Sequence, residues 1–548
     1  MCKSSWFATV LVASIGCNNE RATRSDGFPG GIGSIGDGGI GSVGEDDDSA
    51  DEGSDEDGTG SDEGSGGALD DGTGGGVEGV AASGVSIGRV EASQAVAVML
   101  GDAGGEVAVA SRNAELIHGR TTLVRAEWVL GDVEPRTIEA RLELAYGDGR
   151  VETVSDEKTV SSTADLSTPE GAFSWELTPA QVEPGTHYRI ALFEVDGVAR
   201  GGSTDGSVFP AGATAATADL GVRAEAMTMT IVFIPVSTPQ GSPTFGASDV
   251  AKIEERMMAT YPLQSIDIRV REPWIRNAQL SNLDEAFNFM ASARVQDGEG
   301  SGPYYHLILD SETCCTGADY ADWSGIANLV DDSPYATPRE GITKLYGDFA
   351  WDSTTIIHEV GHNHGRDHAP CGDPGGPDPS YPYPGATLGV RGYDVAQKLI
   401  IDPVAIDPVY GMAHTDFMSY CGPNWWSDYS WRALVDRVRM VSSLPGEAPG
   451  GHGWKLRGFA RPSGEITWSR VPSAAGVVAA AGQASLALRG DAGELLAEVP
   501  VRISALADSD VQVLEAELGA TSTFAALELQ LDDGRLETFA ARDVLAAP

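Results

Sequence analysis

His358-Glu359-Val360-Gly361-His362-Asn363-His364-Gly365-Arg366-Asp367-His368 is the stretch whose reading decides the rest of the chain. It spells H-E-x-x-H-x-x-G-x-x-H. Two imidazoles at i and i+4 lie on one helix face, a turn apart. Gly365 then lets the chain leave the helix in a left-handed conformation, and a third imidazole returns to the same point. Three neutral nitrogens leave the fourth position of a tetrahedral zinc open, the arrangement of a catalytic rather than a structural site. Glu359, beside the first ligand, is placed to take a proton from a water held there. The pattern predicts one catalytic Zn2+ on His358, His362 and His368.

Outward from this helix, Trp351-Asp352-Ser353-Thr354-Thr355 opens it, with Asp352 or Ser353 as cap, and Ile356, Ile357 and Val360 give it an apolar side. Proline and glycine after His368 exclude a long helix and predict an irregular segment to about residue 415. Asp373 and Asp378 in that segment are candidates for a structural Ca2+, with solvated loop carboxylates as the commoner case. Asp416-Phe417-Met418-Ser419-Tyr420-Cys421 follows. Met418 can form an apolar floor beneath the ligands, and Tyr420 can reach the metal or a developing oxyanion. Trp425, Trp426 and Trp431 read as packing residues before a closing helix, Tyr429 to Leu444. His306, His364 and His414 read as structural.

Upstream, strands at Met229–Val236, Ser265–Arg271 and Tyr304–Asp310 alternate with helices at Ser248–Tyr261 and Asn282–Val295, which implies a mostly parallel sheet. A short strand, Gly325 to Leu329, could pair with extended substrate at a sheet edge.

The zinc motif and Met418-Ser419-Tyr420 together resemble the metzincin clan of zinc endopeptidases, and the wider look is similar to that of secreted bacterial members. The resemblance covers the helix and the Met-containing turn directly, and 226–445 by pattern. It implies His358, His362 and His368 as zinc ligands, Glu359 as general base, Met418 as the Met-turn residue and Tyr420 as a second catalytic residue. The expected function is a zinc metalloendopeptidase acting on extracellular protein or peptide. The alternative is a surface adhesion or binding lipoprotein in which zinc is structural or proteolysis secondary.

The flanks differ in kind. Lys3 and the short apolar run Phe7–Ile15 read as a signal peptide over 1–17, ending Ser14-Ile15-Gly16-Cys17 in a lipobox-like pattern with Cys17 as lipidation candidate. An ordinary signal peptide is the alternative. The lipid reading puts the chain at a bacterial outer membrane or cell surface, attached through its N-terminus. Residues 18–85 are Gly, Ser, Asp and Glu, too poor in apolar side chains to build a core, and read as a disordered tether. Residues 86–222 and 452–548 alternate with period two. They predict a β-sandwich, acting as spacer, binding module or pro-segment, and a small C-terminal β-domain in which nothing suggests chemistry. Asp532-Asp533-Gly534-Arg535 reads as a hairpin turn in the latter. The fold class expected is multidomain, an α/β (α+β) metzincin-like catalytic domain flanked by two β-domains.

Net charge is −45, which argues against nucleic acid as a partner because a polyanion would be repelled, though much of that charge is local to the acidic tether. Besides Cys2 and Cys17 there are Cys314, Cys315, Cys371 and Cys421, an even set that fits two disulfides in an oxidising compartment. Strain argues against a bond between the adjacent Cys314 and Cys315. Cys371 with Cys421, or each downstream cysteine with one of the adjacent pair, stay open. The 86–222 region holds no cysteine that could block a metal.

Overall fold

The computed structural model describes residues 79–548 except 104, 132–133, 213–215, 322, 331–337, 445–452, 474–483, 519–522, 532–535 and 541–548. The signal run, Cys17, residues 18–78 of the expected tether and the 532–535 turn lie outside the described residues. Strands dominate, arranged in several sheets around a smaller helical component, so the fold is β-rich and α+β.

The N-terminal region has seven main strands: β1 (Val85–Ser93), β2 (Ala97–Asp102), β3 (Thr122–Leu130), β4 (Arg136–Ala145), β5 (Val151–Val160), β6 (Phe173–Leu177) and β7 (His187–Glu194). One antiparallel sheet orders β2-β1-β3-β6, and another places β4 between β7 and β5. Ile138, Ala140, Leu142 and Leu144 are fully buried, while Glu139, Arg141 and Glu143 between them face outward. That is period-two patterning converted into one packed face. The inward rows of both sheets fall in a single hydrophobic cluster. The tether boundary at 85 needs correction. Ala81 already bridges Phe193 and Ala82 is fully buried, because these apolar residues reach the sandwich edge before the first strand begins.

This region is bonded to the segment that follows His368. Trp425 Nε1 donates to Ala95 O at 2.8 Å, Ala97 N to Arg391 O at 2.8 Å, and Arg391 pairs with Glu91 at 2.8 Å.

The central layer comprises β8 (Thr228–Ser237), α1 (Ala247–Thr260), β9 (Ser265–Val270), α2 (Leu283–Gln296), β10 (Tyr304–Asp310), β11 (Gly325–Asn328), β12 (Glu340–Leu345), α3 (Phe349–Asn363) and, after the irregular segment, α4 (Asp428–Ser442). The order is β9-β8-β10-β12-β11. The first four strands are parallel and β11 is antiparallel. The mostly parallel sheet is as the alternating pattern predicts. Strand β12 was not foreseen.

The C-terminal strands are β13 (Gly453–Ala460), β14 (Ile466–Ser473), β15 (Ala484–Arg489), β16 (Leu495–Ala507), β17 (Gln512–Glu517), β18 (Ala526–Leu531) and β19 (Leu536–Ala540). They do not stand apart as expected. The end of β16 pairs antiparallel with β11, Leu506 opposite Asn328 and Ala507 opposite Ala327, so the central and C-terminal strands form one continuous sheet. The physical reason is a shared core: Phe459, Leu506, Val511 and Val513 pack with Phe287, Ile326 and Ile342. Beside it the buried Arg457 guanidinium lies 3.0 Å from Glu340 and 2.9 Å from Glu515.

Among the described residues there are two disulfides, Cys371–Cys421 and Cys314–Cys315. The second corrects the expectation that the adjacent pair would not bond. Cys314 and Cys315 pack in one hydrophobic cluster and Cys371 in another, so the turn after β10 keeps the adjacent pair among different neighbours. It is held there by Cys314 N to Asp310 O (3.1 Å) and Leu280 N to Cys314 O (2.9 Å). Among the described residues no helix is long and apolar enough to cross a membrane.

Candidate metal centre

Helix α3 begins earlier than its sequence suggests. Asp348, not Asp352 or Ser353, is the cap, accepting from Ala350 N (3.0 Å) and Trp351 N (3.3 Å). Asp352 sits one turn inside, buried, and accepts instead from Tyr346 N (2.9 Å) and Gly347 N (3.1 Å), tying the incoming loop to the helix. Ile356, Ile357 and Val360 are buried as the apolar side requires. Gly365 ends the helix at φ 77°, where a side chain would be strained and would strike Val330 O.

His358, His362 and His368 converge, with ring centroids 4.7–5.2 Å apart. Each Nδ1 faces a backbone carbonyl: His358 to Phe417 O (2.7 Å), His362 to Arg366 O (2.6 Å) and His368 to Gly375 O (2.6 Å). A carbonyl can only accept, so each Nδ1 carries a proton and each neutral ring presents its Nε2 lone pair inward; at His368 burial is outweighed by the facing Asp508 carboxylate, which raises that imidazole above its ordinary value. Burial, with the neighbouring His362 adding to it, pushes the His358 imidazole down to about 3 and keeps it neutral.

A fourth group arrives from the C-terminal strands. Asp508, in the turn between β16 and β17, points its carboxylate at the same spot. It lies 3.2 Å from His368 Nε2, 3.3 Å from His362 Nε2 and 3.7 Å from His358 Nε2. These four form a buried group that can hold a metal ion. The fit is good on two counts. His358 and His362 Nε2 are 3.1 Å apart, and tetrahedral zinc with bonds of ~2.0–2.1 Å needs ligand atoms about 3.3 Å apart. Lone pairs facing a carboxylate repel unless a metal ion or a proton lies between them, and Asp508 Oδ2 is buried without a hydrogen-bond partner.

The remaining predicted residues surround this point. The Glu359 carboxyl is buried, and its Oε2 has no hydrogen-bond partner. It passes over β11 at Gly325, where a Cβ would lie 2.2 Å from Glu359 Oε1, so only glycine leaves it room. Burial, then the Asp508 charge, hold this carboxyl well above the usual range. Met418 lies under α3, its Sδ 2.4 Å from where a Cβ on Gly361 would be. The Met418 turn is fixed by the buried Asp416 carboxylate, which accepts from Met418 N (2.9 Å) and Ser427 N (3.0 Å). Tyr420 is half exposed, its ring 4.9 Å from that of His368 and its hydroxyl hydrogen-bonded to Asp508. Burial and the Asp508 carboxylate raise the Tyr420 phenol, keeping it a donor. The Cys371–Cys421 bond and Tyr420 N to Cys371 O (3.0 Å) tie this turn to the loop after His368.

Three other histidines stand away from the centre. His364 is stacked on Tyr304 with Nδ1 2.7 Å from Val360 O, His306 is buried against Thr343 (2.8 Å), and His414 is half buried. Of the calcium candidates, Asp378 is committed to Arg366 (3.4 Å) and Tyr429 (2.7 Å). Trp425, Trp426 and Trp431 are buried, as packing residues are. The residue that sequence reasoning missed is Asp508. Its only signal was a turn-forming Asp508-Ser509-Asp510 after an alternating run, and nothing local says where such a turn points.

No family model matches the chain, and no curated protein matches it. Among solved structures, a calcium-binding mutant of Bacteroides uniformis β-glucuronidase 2 is 13% identical over 52% of this chain at a TM-score of 0.12, and this chain spans about a quarter (26%) of its length. A Bacteroides fragilis protein described as a β-galactosidase is 8% identical over 83% of this chain and 72% of its own, at a TM-score of 0.13. Similarity this slight carries no argument about fold or activity.

Proposed function

We propose that the chain is a zinc-dependent endopeptidase of metzincin type, with 226–445 as its catalytic domain. The observation that carries the proposal is the convergence of three Nε2 lone pairs, each imidazole oriented by a backbone carbonyl, beside an unpartnered buried Glu359. His358, His362 and His368 would hold Zn2+, which when bound supplies a Lewis acid for the scissile carbonyl and an acidified water. Glu359 would serve as the base, accepting a proton from the attacking water and passing it to the leaving amide nitrogen. Its raised affinity for a proton suits both transfers. Tyr420 donates its hydroxyl hydrogen to the oxygen that gains charge. The Asp508 oxygen it now meets stands in for that atom. Strand β11, expected as a free edge for extended substrate, lies between β12 and the end of β16, so strand addition by a peptide there would require the end of β16 to leave. The sequence further supports export with a lipid on Cys17.

A specific observation favours one second reading. Asp508 completes four protein ligands, and closed four-ligand zinc sites are structural. The chain would then be a surface binding protein stapled by its metal.

The test is hydrolysis of casein and a broad peptide library by the full chain and by its Asp508→Gly variant, with and without chelator and with Glu359→Gln added. Chelator-sensitive cleavage lost with Glu359→Gln supports the peptidase. One tightly held zinc per chain with no cleavage by either form overturns it in favour of the structural reading.

A further inference from the structure

We infer that the turn Ala507-Asp508-Ser509-Asp510 is an internal inhibitor, so that the chain is latent until this hairpin withdraws. The inference rests on reading the metal centre as a peptidase site. Two separate contacts make the case. The first is at the sheet edge. Strand β11 is antiparallel to β12, and its other edge is the one an extended peptide would join. That edge is taken by the chain itself. Leu506 and Ala507 pair with Asn328 and Ala327, and Leu329 N donates to Ala505 O at 3.0 Å. The second contact is at the metal position. The very next residue, Asp508, sets its carboxylate against all three ligand Nε2 atoms and takes the Tyr420 hydroxyl. Strand pairing followed at once by an oxygen on the metal side is how a peptide substrate would lie. No substrate can occupy either place while the hairpin does.

The backbone is shaped for this contact. Asp508 sits at φ 62°, a left-handed conformation uncommon for a residue other than glycine. It ends the strand and turns the carboxylate into the cleft. The block is also built to leave. It sits at the tip of a hairpin, joined to β11 only through the last residues of β16, while β16 is held independently by β15 and β17. Ser509 is half buried, and Asp510 and Tyr420 are exposed, so solvent reaches the tip. Withdrawal of the turn would free the edge and the fourth position, and it would take the buried Leu506 from its packing beside Ile326 while β16 stays paired with β15 and β17.

The test loads the full chain with Co2+, whose visible spectrum reports coordination, and titrates acetohydroxamate, a small bidentate oxygen ligand. Wild type is compared with Asp508→Gly and Asp508→Asn, both of which tolerate a left-handed backbone, and with the control Asp510→Ala. If the turn is in place in ~99% of molecules, it weakens acetohydroxamate binding about a hundredfold. Asp508→Gly and Asp508→Asn should therefore bind roughly a hundredfold more tightly than wild type and Asp510→Ala. Equal binding by wild type and both Asp508 variants, or no spectral response from either variant, overturns the inference. If the variants bind the probe and casein stays uncut, the block stands and the peptidase reading falls. If wild type and variants cut casein equally, the peptidase reading stands and the block falls.

Discussion

Gly361 and Met418 offer a test of how the floor of the metal centre is built. A Cβ on Gly361 would lie 2.4 Å from Met418 Sδ and 3.3 Å from the Trp426 ring, and both side chains are buried. Gly361→Ala gains about 1 kcal/mol of helix propensity. It also forces Met418 to move, at about 1–3 kcal/mol for an overpacked core. The single variant should thus lose roughly 0–2 kcal/mol, the difference of those two terms. Met418→Ala alone leaves a cavity worth about 2–5 kcal/mol. In the double variant the new methyl meets no sulfur and fills part of that cavity. Its loss should fall short of the sum of the singles by about 1–3 kcal/mol, well outside the ~0.5 kcal/mol expected of independent sites. Urea unfolding of the four proteins measures the cycle. Losses that simply add would refute the direct contact between the Met418 turn and helix α3.

Three further predictions concern the frame. Breaking Cys371–Cys421 with Cys371→Ser opens a loop spanned by 50 residues, a cost of about 4 kcal/mol by loop entropy, read as a lower urea midpoint. Arg457→Ala leaves Glu340 charged and fully buried. It should cost about 3–5 kcal/mol, largely restored when Glu340→Gln is added, and a loss below ~1 kcal/mol would show that the pair does not anchor the C-terminal strands. Burial holds His306 down at about 3, below its unfolded value near 6.5. The unfolded chain therefore binds the extra proton first. This residue's stabilisation is intact above about pH 6.5 and falls by about 1.4 kcal/mol per unit as pH drops toward 3. His306→Asn should flatten the acid limb of a Tm-against-pH profile, and an unchanged limb would refute the assignment.

Much of the frame was legible because it is encoded locally. Helix α3 carries its ligands at fixed helical offsets, and β10 spans Tyr304–Asp310, the apolar run the sequence shows. Strand β12 was hidden for a physical reason. Glu340 and Lys344 break its apolar pattern, yet both are buried, one on Arg457 and the other on the Tyr320 (2.6 Å) and Trp323 (2.9 Å) carbonyls. Their partners come from elsewhere in the chain, and a hydropathy pattern cannot register them. Asp508 was hidden more completely. It reaches His368 across 140 positions of sequence, and its aim depends on the β16–β11 register. The same pairing merges the C-terminal strands with the central sheet, which period-two alternation alone presents as a separate domain.

The central claim is that this cluster hydrolyses peptide bonds with Glu359 as the base. The most direct measurement is the rate of casein cleavage by the Asp508→Gly chain against the Asp508→Gly/Glu359→Gln chain, each shown by metal analysis to carry one zinc. Chelator-sensitive cleavage is expected in the first and a loss of at least about a hundredfold in the second, the scale of a general base. Equal rates in two zinc-loaded chains would contradict that claim.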